Sequence, residues 1–242
     1  MQRASIGQFA VSRIGFGAMQ LPGPGVFGPP RDRTEALAVL RRAVELGVDH
    51  IDTAQYYGPD VANQLIREAL HPYPDNLALV SKVGARRDEV GGWVPYDEPA
   101  ELRQGIEDNL ISLGVDQLAA VNLRLTDGAI PDGRFENQLA VMIQARDEGL
   151  IGGVGLSNVT RAHLLRALES TEIACVQNPL NLLQREAMPL LTECTARGIA
   201  FVPSFRSAPP SPPPTRYSPT ARYGAQRSGS GSPRLRWRSP GP

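Results

Sequence analysis

The stretch His50-Ile51-Asp52-Thr53-Ala54-Gln55-Tyr56-Tyr57-Gly58, HIDTAQYYG, decides the fold. An apolar strand, Val48 to Thr53, ends in an acid and passes into the turn TAQYYGPD, which holds a single glycine. An open sheet built to bind a dinucleotide carries G-x-G-x-x-G at this turn. Gly15 and Gly17 precede any helix, and Gly152, Gly153 and Gly155 fall inside an apolar strand, so neither group replaces that fingerprint. In a (β/α)8 barrel, polar residues instead gather at the C-terminal ends of the strands, because that face builds the site.

Working outward, the chain alternates. Ala36, Val39, Leu40, Ala43 and Val44 fall at helical spacing ahead of Gly47, and the strand above follows. Apolar strands are then predicted at LALVSKVG, LAAVNLR, IGGVGLSN, IACVQNPL and GIAFVPS, separated by amphipathic helices. Near-continuous apolar strands of this kind form a parallel sheet covered by helices. Asp52, Lys82, Arg124 with Asn122, Ser157 with Asn158, and Gln177 with Asn178 all fall at predicted strand ends. The fold expected is therefore an incomplete α/β (β/α)8 TIM barrel of about six β/α units over residues 1–205. The turn-rich first 30 residues form an N-terminal β-hairpin ahead of it.

Composition bounds the rest. The 242 residues are 41% hydrophobic with zero formal net charge, but the balance is uneven. From Arg206 onward there are seven Arg and no Lys, Asp or Glu, leaving 18 basic and 25 acidic residues before it, a net of −7. No signal peptide or run of about 18 apolar residues is visible, so no membrane partner is expected. Cys175 and Cys194 read as buried free thiols in a reducing, cytoplasmic compartment. His50, His71 and His163 are scattered and offer no metal set.

The strand ends carry chemistry. An ammonium at the inner end of a strand is costly unless paired, and Asp52 is the natural partner of Lys82. A paired Lys beside a phenol is expected to lower the phenol's pKa and ready it to protonate a developing alkoxide. The alternative is an ion pair that only holds two strands together.

These residues resemble the aldo-keto reductases. HIDTAQYYG is similar to that family's first signature and VSKVG to the strand bearing its catalytic Lys. GVGLSN and CVQNPLNLLQR resemble its nicotinamide-holding stretches, and RIGFGAMQL its opening hairpin and first cofactor loop. The resemblance covers roughly residues 5–205. It implies reduction of a small aldehyde or ketone with NADPH. In that reading Tyr57 is the proton donor, Lys82 tunes it and Asp52 pairs with Lys82, while Tyr56 packs or walls the pocket. Gly17, Ala18 and Met19 lie near the cofactor and Asp52; Ser157, Asn158 and Gln177 hydrogen-bond the carboxamide. Asn181 falls where many members stack a ring on the nicotinamide, which Asn cannot do.

Arg124 stands where most members place a His at the end of the third strand. Arg only donates hydrogen bonds and is always charged, so it is read as an electrostatic replacement, or as a partner of Asp127. A module that holds nicotinamide without turnover is the second reading, and an inactive truncated fragment the third. Residues 206–242 hold nine Pro and little periodicity, and are expected to be disordered. They read as a basic tail or as a shifted reading frame, which suits the break inside a barrel strand and the Pro/Arg/Ser/Gly bias. In the resembled family the phosphate-gripping loops fall beyond Ser204, so NADPH binding by this chain is expected to be weak. Nothing supports a nucleic-acid partner, and oligomeric state stays open.

Overall fold

The computed structural model describes residues 3–126 and 130–204. Asp127 and the 206–242 tail lie outside the described residues. The parallel sheet runs through β3 (Phe16–Gly17), β4 (His50–Asp52), β5 (Ala78–Arg87), β7 (Ala120–Arg124), β8 (Val154–Ser157), β9 (Cys175–Pro179) and β10 (Ala200–Ser204). Helices α1 (Arg33–Glu45), α2 (Val61–Leu70), α3 (Pro99–Leu113), α4 (Gly133–Asp147), α5 (Arg161–Leu168) and α6 (Met188–Ala196) connect them. This is a curled β/α barrel sheet, as expected, and an antiparallel hairpin of β1 (Arg3–Ile6) and β2 (Phe9–Ser12) precedes it.

The strand count needs correction. Seven described strands share the parallel sheet rather than six, because Phe16 and Gly17 pair in register with Ile51 and Asp52. Two residues are too short for a periodic signal. The segment around Gly91, Gly92 and Trp93, outside the predicted strands, also contains a strand. β6 (Trp93–Tyr96) folds back antiparallel on β5, which therefore runs on to Arg87 instead of stopping at Gly84.

Local sequence explains the helix ends. Asp32, Asp132 and Thr160 accept from backbone N–H groups in the first turns of α1, α4 and α5. Glu98 and Glu101 form a capping box at α3, with Pro99 at its first position and Gly114 left-handed after its last.

Strand alternation then sorts the two faces. Leu79, Val83, Val121, Leu123, Leu156 and Val176 pack outward with the helices. Ala78, Val80, Ala120 and Cys175 pack with Ile6 and Val11 of the hairpin. The hairpin is pinned beneath the sheet by Asp49, which accepts from the Ser12 N–H at 2.7 Å and pairs with Arg3 at 3.2 Å. On β5 this inner face reads Ala78, Val80, Lys82, from an apolar floor to a charged rim. Both cysteines are free and buried, and burial pushes the Cys175 thiol up to about 12 and the Cys194 thiol to about 11.

Candidate active site

The rim is assembled by register. Gly17 pairs with Asp52, Lys82 with Asn122, Arg124 with Ser157, and Ser157 with Gln177. The predicted strand-end residues therefore follow one another around one end of the sheet. Asn122 is the exception: it is 1% exposed and its side chain is turned to the protein, accepting from the Cys175 thiol at 3.4 Å. Asn178 is held by the backbone of Val159, donating to its carbonyl at 2.8 Å and accepting from its N–H at 3.1 Å.

Lys82 and Asp52 pair as expected. The ammonium donates to both Asp52 carboxylate oxygens and to the Thr53 carbonyl, each at 2.8 Å. These three oxygens use all three of its N–H donors. Lys82 is also the only lysine in the chain; the other 24 basic residues are arginines. That compositional signal was available to sequence reading and marks the position.

Tyr57 follows in a tight turn. Its N–H donates to the Ala54 carbonyl and its own carbonyl accepts from Ala62, both at 3.0 Å. Gly58 is left-handed at φ 106°, and a side chain there would overlap Val61, so the turn requires glycine. The ring lies with its face 5.1 Å from the Lys82 ammonium. Its hydroxyl makes no hydrogen bond among the described residues, yet it is not one of the sealed polar atoms, so it opens to the rim.

The phenol's tuning needs correction. Burial, and then the Asp52 charge, push the Tyr57 pKa well above its ordinary value, and Arg124 is the charge that opposes this. The Lys82 ammonium spends its donors on three oxygens and meets the ring face rather than the hydroxyl.

The aromatic wall beside Tyr57 was only partly foreseen. Tyr56 packs edge-on against Tyr57 at 5.4 Å and against Trp93 at 5.5 Å. Its hydroxyl is sealed and unpaired, and burial drives its pKa far up. Trp93 lies between two guanidinium groups, Arg87 at 4.0 Å and Arg124 at 5.3 Å from the ring centre. Arg87 and Trp93 were missed because they meet only through the β5–β6 pairing.

Ser157 and Gln177 are 3% and 5% exposed, and their side chains make no hydrogen bond among the described residues. Buried polar groups are normally paired, so this is a donor and acceptor set open to a ligand. Asn158 follows in the left-handed region at φ 57° and donates its N–H to the Gln177 carbonyl at 3.1 Å. An added carbon at Gly17 would meet nothing within 4 Å, so the rim beside Asp52 is clear; Ala18 beyond it is fully buried and Met19 half-buried. Asn181 is a turn former whose side-chain oxygen accepts from Leu183 and Gln184, and the turn exposes Leu182 and Leu183. No described helix is long and apolar enough to cross a membrane.

Residues 13–206 match the model of the aldo/keto reductase family. The pyridoxine 4-dehydrogenase of Escherichia coli K12 is 50% identical over 204 residues, which cover 83% of this chain and 71% of that one. A putative aldo-keto reductase from Pseudomonas aeruginosa superposes with a TM-score of 0.73 at 27% identity, covering 86% of this chain and 78% of that one. An aldo-keto reductase from Klebsiella pneumoniae, solved in complex with NADPH, does so with a TM-score of 0.66 at 25% identity, covering 84% and 68%. The chain spans 56–71% of the length of four curated relatives. With a family match over most of its length and a half-identical relative, this chain belongs to the aldo/keto reductase family.

Proposed function

We propose that the rim carries out NADPH-dependent reduction of a small aldehyde or ketone, with Tyr57 as general acid. The observation that carries the reading is Tyr57, its ring over the Lys82 ammonium of the Asp52–Lys82 pair and its hydroxyl without a partner, together with the unpartnered Ser157 and Gln177 side chains. The fit to a nicotinamide is chemical: a carboxamide offers one acceptor and two donors, and Ser157, Gln177 and Asn158 offer complementary groups. Gly17, Ala18 and Met19 flank that space. NADPH, when bound there, supplies a hydride to the carbonyl carbon.

The chain's own residues then handle the proton. Because its pKa is raised, Tyr57 stays protonated at neutral pH and donates only when negative charge develops on the substrate oxygen. Arg124 is the positive charge that favours the resulting phenolate, and it also polarises the carbonyl. Water at the rim returns the proton to Tyr57. Lys82 and Asp52 form a fixed dipole under the ring. For the substrate, the 50% identity to a pyridoxine 4-dehydrogenase supports an aldehyde on a planar heteroaromatic ring of the pyridoxal type. The partly exposed Trp93 ring, backed by Tyr56, suits such a ring.

NADPH consumption with pyridoxal and a panel of simple aldehydes tests the reading. Tyr57→Phe should lower kcat by about a hundredfold to ten-thousandfold, the usual share of a general acid. Turnover that survives this change, or no turnover by the unaltered chain, sinks it.

A further inference from the structure

Behind the ion pair lies a buried polar network that the reaction does not touch. Thr53 and Ser81 directly neighbour Asp52 and Lys82 and therefore point outward, toward α2 and α3. The Thr53 hydroxyl donates to the Asn63 side-chain oxygen at 2.8 Å. The Asn63 amide donates to the Asn109 side-chain oxygen at 3.0 Å and to the Ser112 hydroxyl at 2.9 Å. The Ser81 hydroxyl donates to the same Asn109 oxygen at 2.5 Å. The Asn109 amide donates to the Gly105 carbonyl at 2.7 Å and, more weakly, to the Lys82 carbonyl at 3.5 Å. Thr53, Asn63, Ser81 and Asn109 are all 0% exposed.

Stability alone does not call for this arrangement. Apolar side chains of similar shape would serve a helix–sheet interface about equally well. The network also has a specific address. Its two strand contacts flank the ion pair, and Thr53 is tied to Asn63 through its hydroxyl while its carbonyl holds the Lys82 ammonium. Fixing the pitch of the Thr53 and Lys82 peptide segments fixes where three converging oxygens meet one nitrogen.

We infer that Asn63 and Asn109 are positioning residues: they hold the Thr53 carbonyl and the Lys82 backbone so that the ammonium stays beneath the Tyr57 ring. The inference rests on the reading of Tyr57 and Lys82 given above. It predicts that loosening the network lets the ammonium wander while the fold persists.

The single lysine makes the test direct. Lysine labelled with nitrogen-15 at its side chain gives one ammonium resonance in the cofactor-free protein. Its protons should be protected from exchange with water. In Asn63→Leu/Ser81→Ala/Asn109→Leu, which swaps the network for apolar packing, exchange should quicken by about tenfold or more. The kcat should fall by about tenfold to a hundredfold with KM nearly unchanged, as expected when a reacting group is misplaced by a fraction of an ångström to an ångström. Asn109→Thr, which keeps a hydroxyl for Ser81 and Asn63, should fall between the two. If the triple variant fails to fold, Asn109→Thr alone decides. Wild-type exchange in a folded variant, or an unchanged kcat, overturns the inference. An unaltered chain without turnover would refute the proposed function, and the exchange measurement would still judge the positioning role.

Discussion

The Asp52–Lys82 pair lends itself to a double-mutant cycle. The Lys82 side chain is 4% exposed and that of Asp52 17%, with the ammonium at 2.8 Å from both carboxylate oxygens. Asp52→Asn leaves a buried ammonium without its counter-charge, which should cost about 3–5 kcal/mol. Lys82→Met leaves a carboxylate that water still reaches, so its cost should be lower, about 2–3 kcal/mol. Combining both removes the charges together, and the double variant should lie within about 1–2 kcal/mol of the unaltered chain. The coupling is then about 3 kcal/mol or more. Urea unfolding followed by circular dichroism gives each value from the midpoint and slope. Turnover should stay lost in the double variant although its stability returns. Single costs that add to within about 0.5 kcal/mol would show that the two groups do not interact, and the site as described would be wrong.

Two further perturbations probe the frame around the pair. Gly84 is left-handed at φ 107°, and a side chain there would overlap the Arg124 carbonyl oxygen. Gly84→Ala should cost about 2–5 kcal/mol in urea unfolding from strain and overpacking; a change below about 0.5 kcal/mol would contradict that packing. Burial holds the His50 imidazole below its ordinary value of 6.5, outweighing the pull of Asp52. The unfolded chain therefore takes up the proton first: this contribution is complete above about pH 6.5 and is lost as pH falls below it. The urea midpoint should drop between about pH 7.5 and about pH 5, and His50→Gln should flatten that drop; equal slopes would rule His50 out as the cause.

How far the sequence could be read follows from what each residue depends on. Asp52, Tyr57, Lys82, Ser157 and Gln177 were legible because strand periodicity places each at a strand end or in the turn that follows. The two-residue strand at Phe16 has no period to detect. Trp93 and Arg87 meet through a hairpin whose strand, Trp93–Tyr96, contains a proline and reads as loop. Burial, which spacing cannot show, pushes the Tyr57 pKa upward against the expected lowering. Spacing brings Lys82 near the phenol, but only the fold shows that the Thr53 carbonyl takes its last donor. Asn63 and Asn109 did leave a signal. Asn109 interrupts an apolar helical stripe through Leu102, Ile106 and Leu113, and a buried amide in such a stripe requires partners.

The same logic explains why the chain's one lysine stands where it does. Arginine presents five N–H groups in a flat fork and suits a carboxylate approached in its own plane. At Lys82 the acceptors are two oxygens of Asp52 and the carbonyl of the next residue, converging on one point within a pocket that leaves the side chain 4% exposed. A compact ammonium with three donors satisfies that geometry, whereas a guanidinium would leave N–H groups buried and unpaired. Among the described residues several arginines sit in partly exposed pairs, such as Arg33 with Glu68 or Arg166 with Glu136, where a fork serves as well. The choice between the two cations is thus set by acceptor geometry. It follows that the position of the Thr53 carbonyl, and with it the network that holds Thr53, bears on the site as directly as the ion pair itself.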